Sequence, residues 1–151
     1  MTLIIRPVAP RDFAAWLPLW QGYNAFYGRA GKMALAPAIT EMTWSRFLDP
    51  DEPVHALVAE VDDRLLGLTH FLFHRSTTLI GTACYLQDLF TLPEARGKGV
   101  GRALIEGVCA AARAAGAGRV YWHTHTANAP GRLLYDKMAK HAGFIVYAKT
   151  F

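Results

Sequence analysis

Between Thr91 and Arg102 the chain reads Thr-Leu-Pro-Glu-Ala-Arg-Gly-Lys-Gly-Val-Gly-Arg, and this stretch constrains the fold more than any other. Ahead of it, Thr82–Thr91 is a long strand-like run that Pro93 ends. Behind it, Gly99 to Ala115 carries Val100, Ala103, Leu104, Val108, Ala111, Ala112 and Ala115 as one apolar stripe at helical spacing. Gly116-Ala117-Gly118 closes that helix. The stretch is thus a strand-to-helix junction with glycines at 97, 99 and 101, where backbone N–H groups can approach a ligand closely. The first N–H groups of a helix lack internal partners and its dipole favours negative charge there, so the junction suits a phosphate. Arg96, Lys98 and Arg102 add positive charge around it. A Walker loop needs Ser or Thr after Gly-Lys, but Gly99 follows Lys98. A dinucleotide fingerprint needs a third glycine one position later than Gly101. A turn that only caps a helix needs one glycine, not three.

The rest of the chain supplies one domain around this junction. A length of 151 residues favours a single core over residues 1–151. Leu3–Val8 reads as a first strand, which Pro7 confines to an edge or an end. From Asp12, the residues Phe13, Trp16, Leu17, Trp20, Tyr23 and Tyr27 recur at helical spacing, with a kink or break expected at Pro18. Thr40 is a candidate N-cap for a short helix through Phe47 and Leu48. Val54–Val61 and Leu65–Phe73 read as strands joined in a hairpin by Asp62-Asp63-Arg64. After the long helix come a strand at Arg119–His125, a helix from Asn128 to about His141, and a last strand at Phe144–Tyr147. Hairpins early and helix-strand alternation late predict an α+β domain, a mixed and mostly antiparallel sheet with helices on both faces.

Composition narrows the class. Apolar residues make up 52% and charged residues 19%, as in folded globular domains. No segment is long and apolar enough to cross a bilayer, and MTLIIRPVAPRDF lacks the apolar run of a secretory signal, so the cytoplasm is the expected location. Cys84 and Cys109 sit in apolar runs without metal or redox spacing and read as buried free thiols, so no metal is expected. The net charge of +4 comes from scattered Lys and Arg, with no block or basic stripe of the kind nucleic acid requires.

Arg96-x-x-Gly99-x-Gly101 resembles the coenzyme A pyrophosphate loop of the GNAT N-acetyltransferase superfamily. Tyr85–Pro93 resembles that family's fourth strand, and the helix, strand and Asn128…Tyr135 helix follow in the family's order. The likeness covers essentially the whole chain and is most specific over residues 85–144. It looks closest to the histone/polyamine-type branch, with spermidine/spermine N-acetyltransferases a step further away. It implies a GNAT-like fold and direct transfer of an acetyl group from acetyl-CoA to an amine in a ternary complex.

The resemblance also implies roles. Arg96, Gly97, Lys98, Gly99, Val100, Gly101 and Arg102 would hold the pyrophosphate. Backbone groups of Leu89, Phe90 and Thr91, where the family's strand splays from its neighbour, would bind the acetyl group and pantetheine arm. Tyr135, seven residues and about two turns beyond Asn128, would protonate the departing thiolate. Asn128 would hold the pantetheine amide, cap its helix, or both. Tyr135 also reads as a core residue with its hydroxyl at the rim. Gly143-Phe144 lies eight residues after Tyr135 where four is common, which predicts a final helix one turn longer, as in that branch.

The amine side is less defined. Spermidine/spermine-type relatives carry Glu-Asp where this chain has Gln87-Asp88, so Asp88 is the first candidate, as base through a water or as anchor for a cationic amine. His123 and His125 come next, and His70 and His74 have weaker claims. Trp16, Trp20, Tyr23, Phe26, Tyr27 and Trp44 could hold an amine or form a core stripe, and Glu41 is a second acidic candidate. A net basic chain suits a small primary amine, an amino acid or a peptide amine better than a polyamine or histone tail. The rival readings are a coenzyme A-binding regulatory module without turnover and, from the pI alone, a nucleic-acid-binding domain. A single strand after the last helix would leave an edge for a second copy to cover, so a homodimer is expected.

Overall fold

The computed structural model describes residues 2–151. Five strands lie in sequence order across one sheet, β1 (Ile4–Pro7), β2 (Val54–Val61), β3 (Arg64–Arg75), β4 (Thr82–Thr91) and β5 (Arg119–Tyr121). The first four pair antiparallel, and β5 runs parallel to β4. The reversal of direction has a simple cause. Two residues suffice to turn β2 into β3, and Asp62 and Asp63 both take the positive φ that a tight hairpin demands. Between β4 and β5 the chain instead inserts a helix, and a parallel pair needs such a crossover.

Helices cover both faces. On one face α1 (Phe13–Phe26) and α2 (Pro37–Leu48) bury Trp16, Leu19, Trp20, Tyr23 and Trp44 against Val58, Leu65, Leu68 and Phe90. On the other face α3 (Val100–Ala114) buries Val100, Leu104, Ile105, Val108 and Ala112 against Leu57, Ala59, Phe71, Cys84 and Leu86. Leu134, Tyr135 and Met138 of α4 (Ala129–Met138) pack onto that second core. β2 follows the two-residue alternation, so Leu57 and Val58 fall in different cores, while β3 carries one extra residue, Leu66, between Leu65 and Gly67.

β4 breaks the alternation at one place. His70 pairs with Asp88 and Phe71 with Leu86, which leaves Gln87 as an extra, bulged residue. Cys84 and Leu86 therefore face α3, whereas Phe90 faces α1, and Asp88 shares the α1 side with its neighbour His70. Without the bulge, a carboxylate at 88 would point into the α3 core beside Leu86.

The sequence expectations hold for the fold class, and several elements differ in detail. Pro7 ends β1, an edge strand. α1 runs through Pro18 without a break, because its core aromatics Trp16 and Trp20 are buried on either side of the proline. α2 starts at Pro37, whose fixed φ suits a first helical position, and Thr40 lies inside the helix, accepting from Trp20 Nε1 at 3.1 Å. β5 stops at Tyr121 instead of His125. α4 ends at Met138, the last residue of its apolar stripe, so the predicted extra turn to His141 does not form. Phe144–Tyr147 forms no strand; Phe144 is 85% and Tyr147 90% exposed, and nothing in the sheet pairs with them.

Candidate active site

The glycine junction sits at the N-terminus of α3. Gly97 and Gly99 adopt φ of 74° and 84°, and an added Cβ at either meets nothing within 4 Å. Their role is conformational, a left-handed turn that throws the chain from sheet into helix. Gly99 is the N-cap and brings no side chain to the first turn, so the leading N–H groups of α3 face outward unmatched by any cap. Arg96 anchors the loop by donating Nε–H to Thr91 O at 3.1 Å and lying over the Phe90 ring. Arg96, Lys98 and Arg102 are exposed around this turn. Gly67 of β3 packs beneath it, with its Cβ direction 3.1 Å from both Val100 and Leu104 side chains, which brings α3 close to the sheet. The turn and its charges fit a pyrophosphate.

β4 and β5 pair only over Ala83–Tyr85, opposite Arg119–Tyr121. Beyond Tyr85 the two strands part, and the remaining residues of β4 through Thr91 have no neighbour on that side. A narrow cleft opens in the fork, lined by Leu86, Gln87, Leu89, Trp122, His123 and Tyr135. Tyr135 is carried there by α4 and packs edge-on against Trp122. Burial raises its phenol above the ordinary value of 10.0, so it remains a proton donor through the neutral and mildly basic range. Asn128 caps α4, its Oδ1 accepting from Gly131 N at 3.3 Å while its Nδ2 donates to Thr124 Oγ1 at 2.9 Å. Its side chain is thus engaged at both ends, and contact with a pantetheine amide would need one of these bonds to open.

On the α1 side of β4 lies a cavity of about 740 Å³. Trp20, Tyr23 and Tyr27 of the α1 region, Arg29, Arg46 of α2, His70 of β3, Asp88 of β4 and the loop residues His123 and His125 line it. Asp88 is 8% exposed and accepts from His70 Nδ1 at 2.8 Å. Tyr23 stands beside it; burial first, and then the Asp88 charge, push its phenol far up, so it stays neutral. Arg29 is held by Asn24 Oδ1 at 2.6 Å and lies over the Tyr23 and Tyr27 rings. Arg46 makes no ion pair among the described residues. The chain therefore presents one carboxylate and two guanidinium groups to a single aromatic-walled space.

The cavity at Asp88 and the fork cleft that holds Tyr135 share Tyr23, Gln87 and His123 in their walls. Of the aromatic candidates, Trp20, Tyr23 and Tyr27 reach the cavity, Trp16 and Trp44 are core, and Phe26 is 57% exposed. Glu41 is exposed and lies outside the cavity lining. His74 bonds Tyr121 at 2.7 Å, away from Asp88. Sequence reasoning underrated His70, which is 3% exposed and paired with Asp88, and it passed over Arg29 and Arg46. The alternation of β3 around His70 was legible, but the bulge that sets Asp88 opposite it was not. Cys84 is buried and its thiol pushed up to about 11, whereas Cys109, expected to be buried, is a half-buried free thiol. Among the described residues no group of His, Cys, Asp and Glu is placed to hold a metal ion.

A glycine turn that suits an anion, after a strand that forks from its parallel neighbour, is the arrangement the resemblance to GNAT acetyltransferases implies. Residues 16–139 match the acetyltransferase (GNAT) family, and the chain belongs to that family. It is 33% identical over 151 residues to a D-amino-acid N-acetyltransferase of Saccharomyces cerevisiae, covering 98% of this chain and 91% of that protein. It is 30% identical to an uncharacterized N-acetyltransferase of Bacillus subtilis, covering 95% and 94%. Among solved structures, a ribosomal-protein-alanine N-acetyltransferase from Brucella melitensis superposes with a TM-score of 0.78 at 23% identity, over 99% of both chains. An aminoglycoside acetyltransferase, AAC(6')-Iy, bound to a coenzyme A bisubstrate analog, gives 0.82 at 14% identity over 100% and 99%. These likenesses make the protein an N-acetyltransferase of the family that uses acetyl-CoA; the expected histone/polyamine branch finds no support in the names of these relatives.

Proposed function

We propose that the protein acetylates the primary amine of an amino acid or a closely similar small amine, with acetyl-CoA as the donor. The observation that carries this reading is that Asp88, Arg29 and Arg46 line one cavity. A carboxylate recognises an ammonium group, and guanidinium groups recognise a carboxylate by forked hydrogen bonds. An amino acid carries both, a polyamine only the first. The D-amino-acid N-acetyltransferase of yeast, similar over nearly the whole chain, supports the same class.

Acetyl-CoA supplies an activated thioester. The first turn of α3, with Arg96, Gly97, Lys98, Gly99, Val100, Gly101 and Arg102, would hold its pyrophosphate. Backbone groups of Leu89, Phe90 and Thr91 in the β4 fork would hydrogen-bond the acetyl carbonyl and the pantetheine arm. Asp88 would anchor the ammonium and accept its proton, directly or through water, so that the neutral amine can attack. Tyr135, neutral and facing the fork, would give a proton to the sulfur. Asn128 serves by capping α4 and so fixing where Tyr135 points.

The reading is tested by thiol release from acetyl-CoA with amino acids and with the amines that lack their carboxylate. Amino acids should have the higher kcat/KM, and Arg46→Gln should raise KM for them while leaving the decarboxylated amines unchanged. Equal or better turnover of polyamines would overturn it.

We also infer a homodimer. Phe144, Ile145, Val146 and Tyr147 form an exposed apolar run, 85%, 72%, 64% and 90% accessible, and β5 leaves its outer edge unpaired. Only monomer by light scattering at micromolar concentration, with and without acetyl-CoA, would refute it.

A further inference from the structure

The environment of His70 fixes more than its position. The ring is 3% exposed and enclosed by Trp16, Trp20 and Phe47, with ring centroids 5.8, 5.3 and 4.5 Å away. Trp16 Nε1 lies 3.0 Å from His70 Nε2, and His70 Nδ1 lies 2.8 Å from Asp88 Oδ2. An indole nitrogen can only donate. His70 Nε2 must therefore offer a lone pair, which leaves its single proton on Nδ1, directed at the carboxylate. The two contacts fit a ring that donates from Nδ1 and accepts at Nε2, whereas an imidazolium there would face the Trp16 N–H with a second N–H.

We propose that His70 is a positioning residue for Asp88, held by Trp16 in the neutral Nδ1–H form so that it fixes one carboxylate oxygen without neutralising the carboxylate. The inference rests on the reading of Asp88 as the group that receives the amine. The consequence is chemical. A protonated histidine at 2.8 Å would form an ion pair with Asp88 and compete with the substrate's ammonium for its charge. A neutral donor orients Oδ2 and leaves the full negative charge, with Oδ1 free of His70, for the cavity that Asp88 lines. The device belongs to three elements at once. Trp16 comes from α1, His70 from β3, and Asp88 reaches the same face only because Gln87 bulges out of β4. A core tryptophan thereby reports to the acceptor site through two hydrogen bonds.

The test reads His70 directly. In protein labelled with 15N-histidine, the His70 ring signals, assigned by their loss in His70→Asn, should show Nδ1 protonated and Nε2 bare at neutral pH. An Nε2–H tautomer or an imidazolium would overturn the proposal. In Trp16→Phe no donor is left against Nε2 while Asp88 still holds the Nδ1 proton, so part of the population should gain a proton on Nε2, and an unchanged spectrum would equally refute the role of Trp16. Kinetics separate positioning from packing. His70→Leu should lower kcat by about tenfold to a hundredfold, the scale of a misaligned reacting group. His70→Asn, which can still offer an N–H to Asp88, should recover most of that loss. In an Asp88→Asn background, His70→Leu should add nothing further, whereas a purely structural residue would add its full effect and refute the proposal. If no amine is acetylated, the functional reading fails while the ring spectrum still decides the tautomer.

Discussion

Replacing Gly99 by alanine separates what the α3 turn owes to backbone shape from what it owes to room for a ligand. Gly99 sits at φ 84°, ψ 6°, and an added Cβ would touch no neighbour within 4 Å. The whole cost to the free protein is then the left-handed conformation, about 1–2 kcal/mol for an L-residue. In a chain of 151 residues each kcal/mol lowers Tm by roughly 2–4 °C, so Gly99→Ala should melt a few degrees early with its fold intact. If an anion sits on the first N–H groups of α3, a methyl group at the N-cap should crowd it, and coenzyme A should bind at least about tenfold more weakly, a loss of about 1.4 kcal/mol. Gly99→Asn divides the two effects. Asparagine tolerates the left-handed region, so much of the Tm loss should return while the weakened binding persists. Differential scanning fluorimetry reads the first quantity and titration calorimetry with coenzyme A the second. If both variants bound coenzyme A as tightly as the parent protein, the phosphate seat would not be at Gly99. If Gly99→Ala melted with the parent, the strain argument would be wrong.

Other consequences follow from single contacts. Tyr135→Phe should lower kcat on the order of 10²-fold with little change in KM, read by thiol release with a good amine; a loss within twofold would remove Tyr135 as the acid. Gly67→Ala should cost about 1–3 kcal/mol by thermal unfolding, because its Cβ would lie 2.8 Å from the Phe90 carbonyl and press on Val100 and Leu104; an unchanged Tm would mean α3 is free to shift. Asp12 accepts from Arg6 at 2.8 and 2.9 Å and from Ala9 N at 2.7 Å, and the Arg6 hydrogen bonds hold its carboxyl below the ordinary value of 3.8. Because the folded-state value is the lower one, this stabilisation is complete above the unfolded value and disappears as the pH falls through the folded one. Asp12→Asn should therefore be less stable by about 1–2 kcal/mol at pH 7, with the gap closing below pH 3.8; a constant gap down to pH 2 would contradict the assignment.

The sequence by itself determined the features that depend on neighbours in the chain. β2 and β4 lie where their alternation and flanking turns put them, and Gly97, Gly99 and Pro93 marked the strand-to-helix junction before any contact was known. Local chemistry suffices there, because a left-handed turn or a broken strand is a property of a few consecutive residues. The segments that went otherwise are those whose state depends on distant partners. Phe144–Tyr147 has the apolar composition of a strand, yet a strand exists only where another offers its edge, and none does within this chain. Thr40 is a good capping residue, but Pro37 already starts the helix and Trp20 claims its hydroxyl. The cavity around Asp88 was decided in the same way. Asp88 was visible as a carboxylate, but one extra residue at Gln87 chooses which core it faces, and that choice sets it against His70, 18 positions away, in the wall of a cavity that Arg29 and Arg46 also line. A period-two strand carries no sign of a bulge until its partner fixes the register, so the glycine turn is written in the sequence and the cavity around Asp88 only in the tertiary structure.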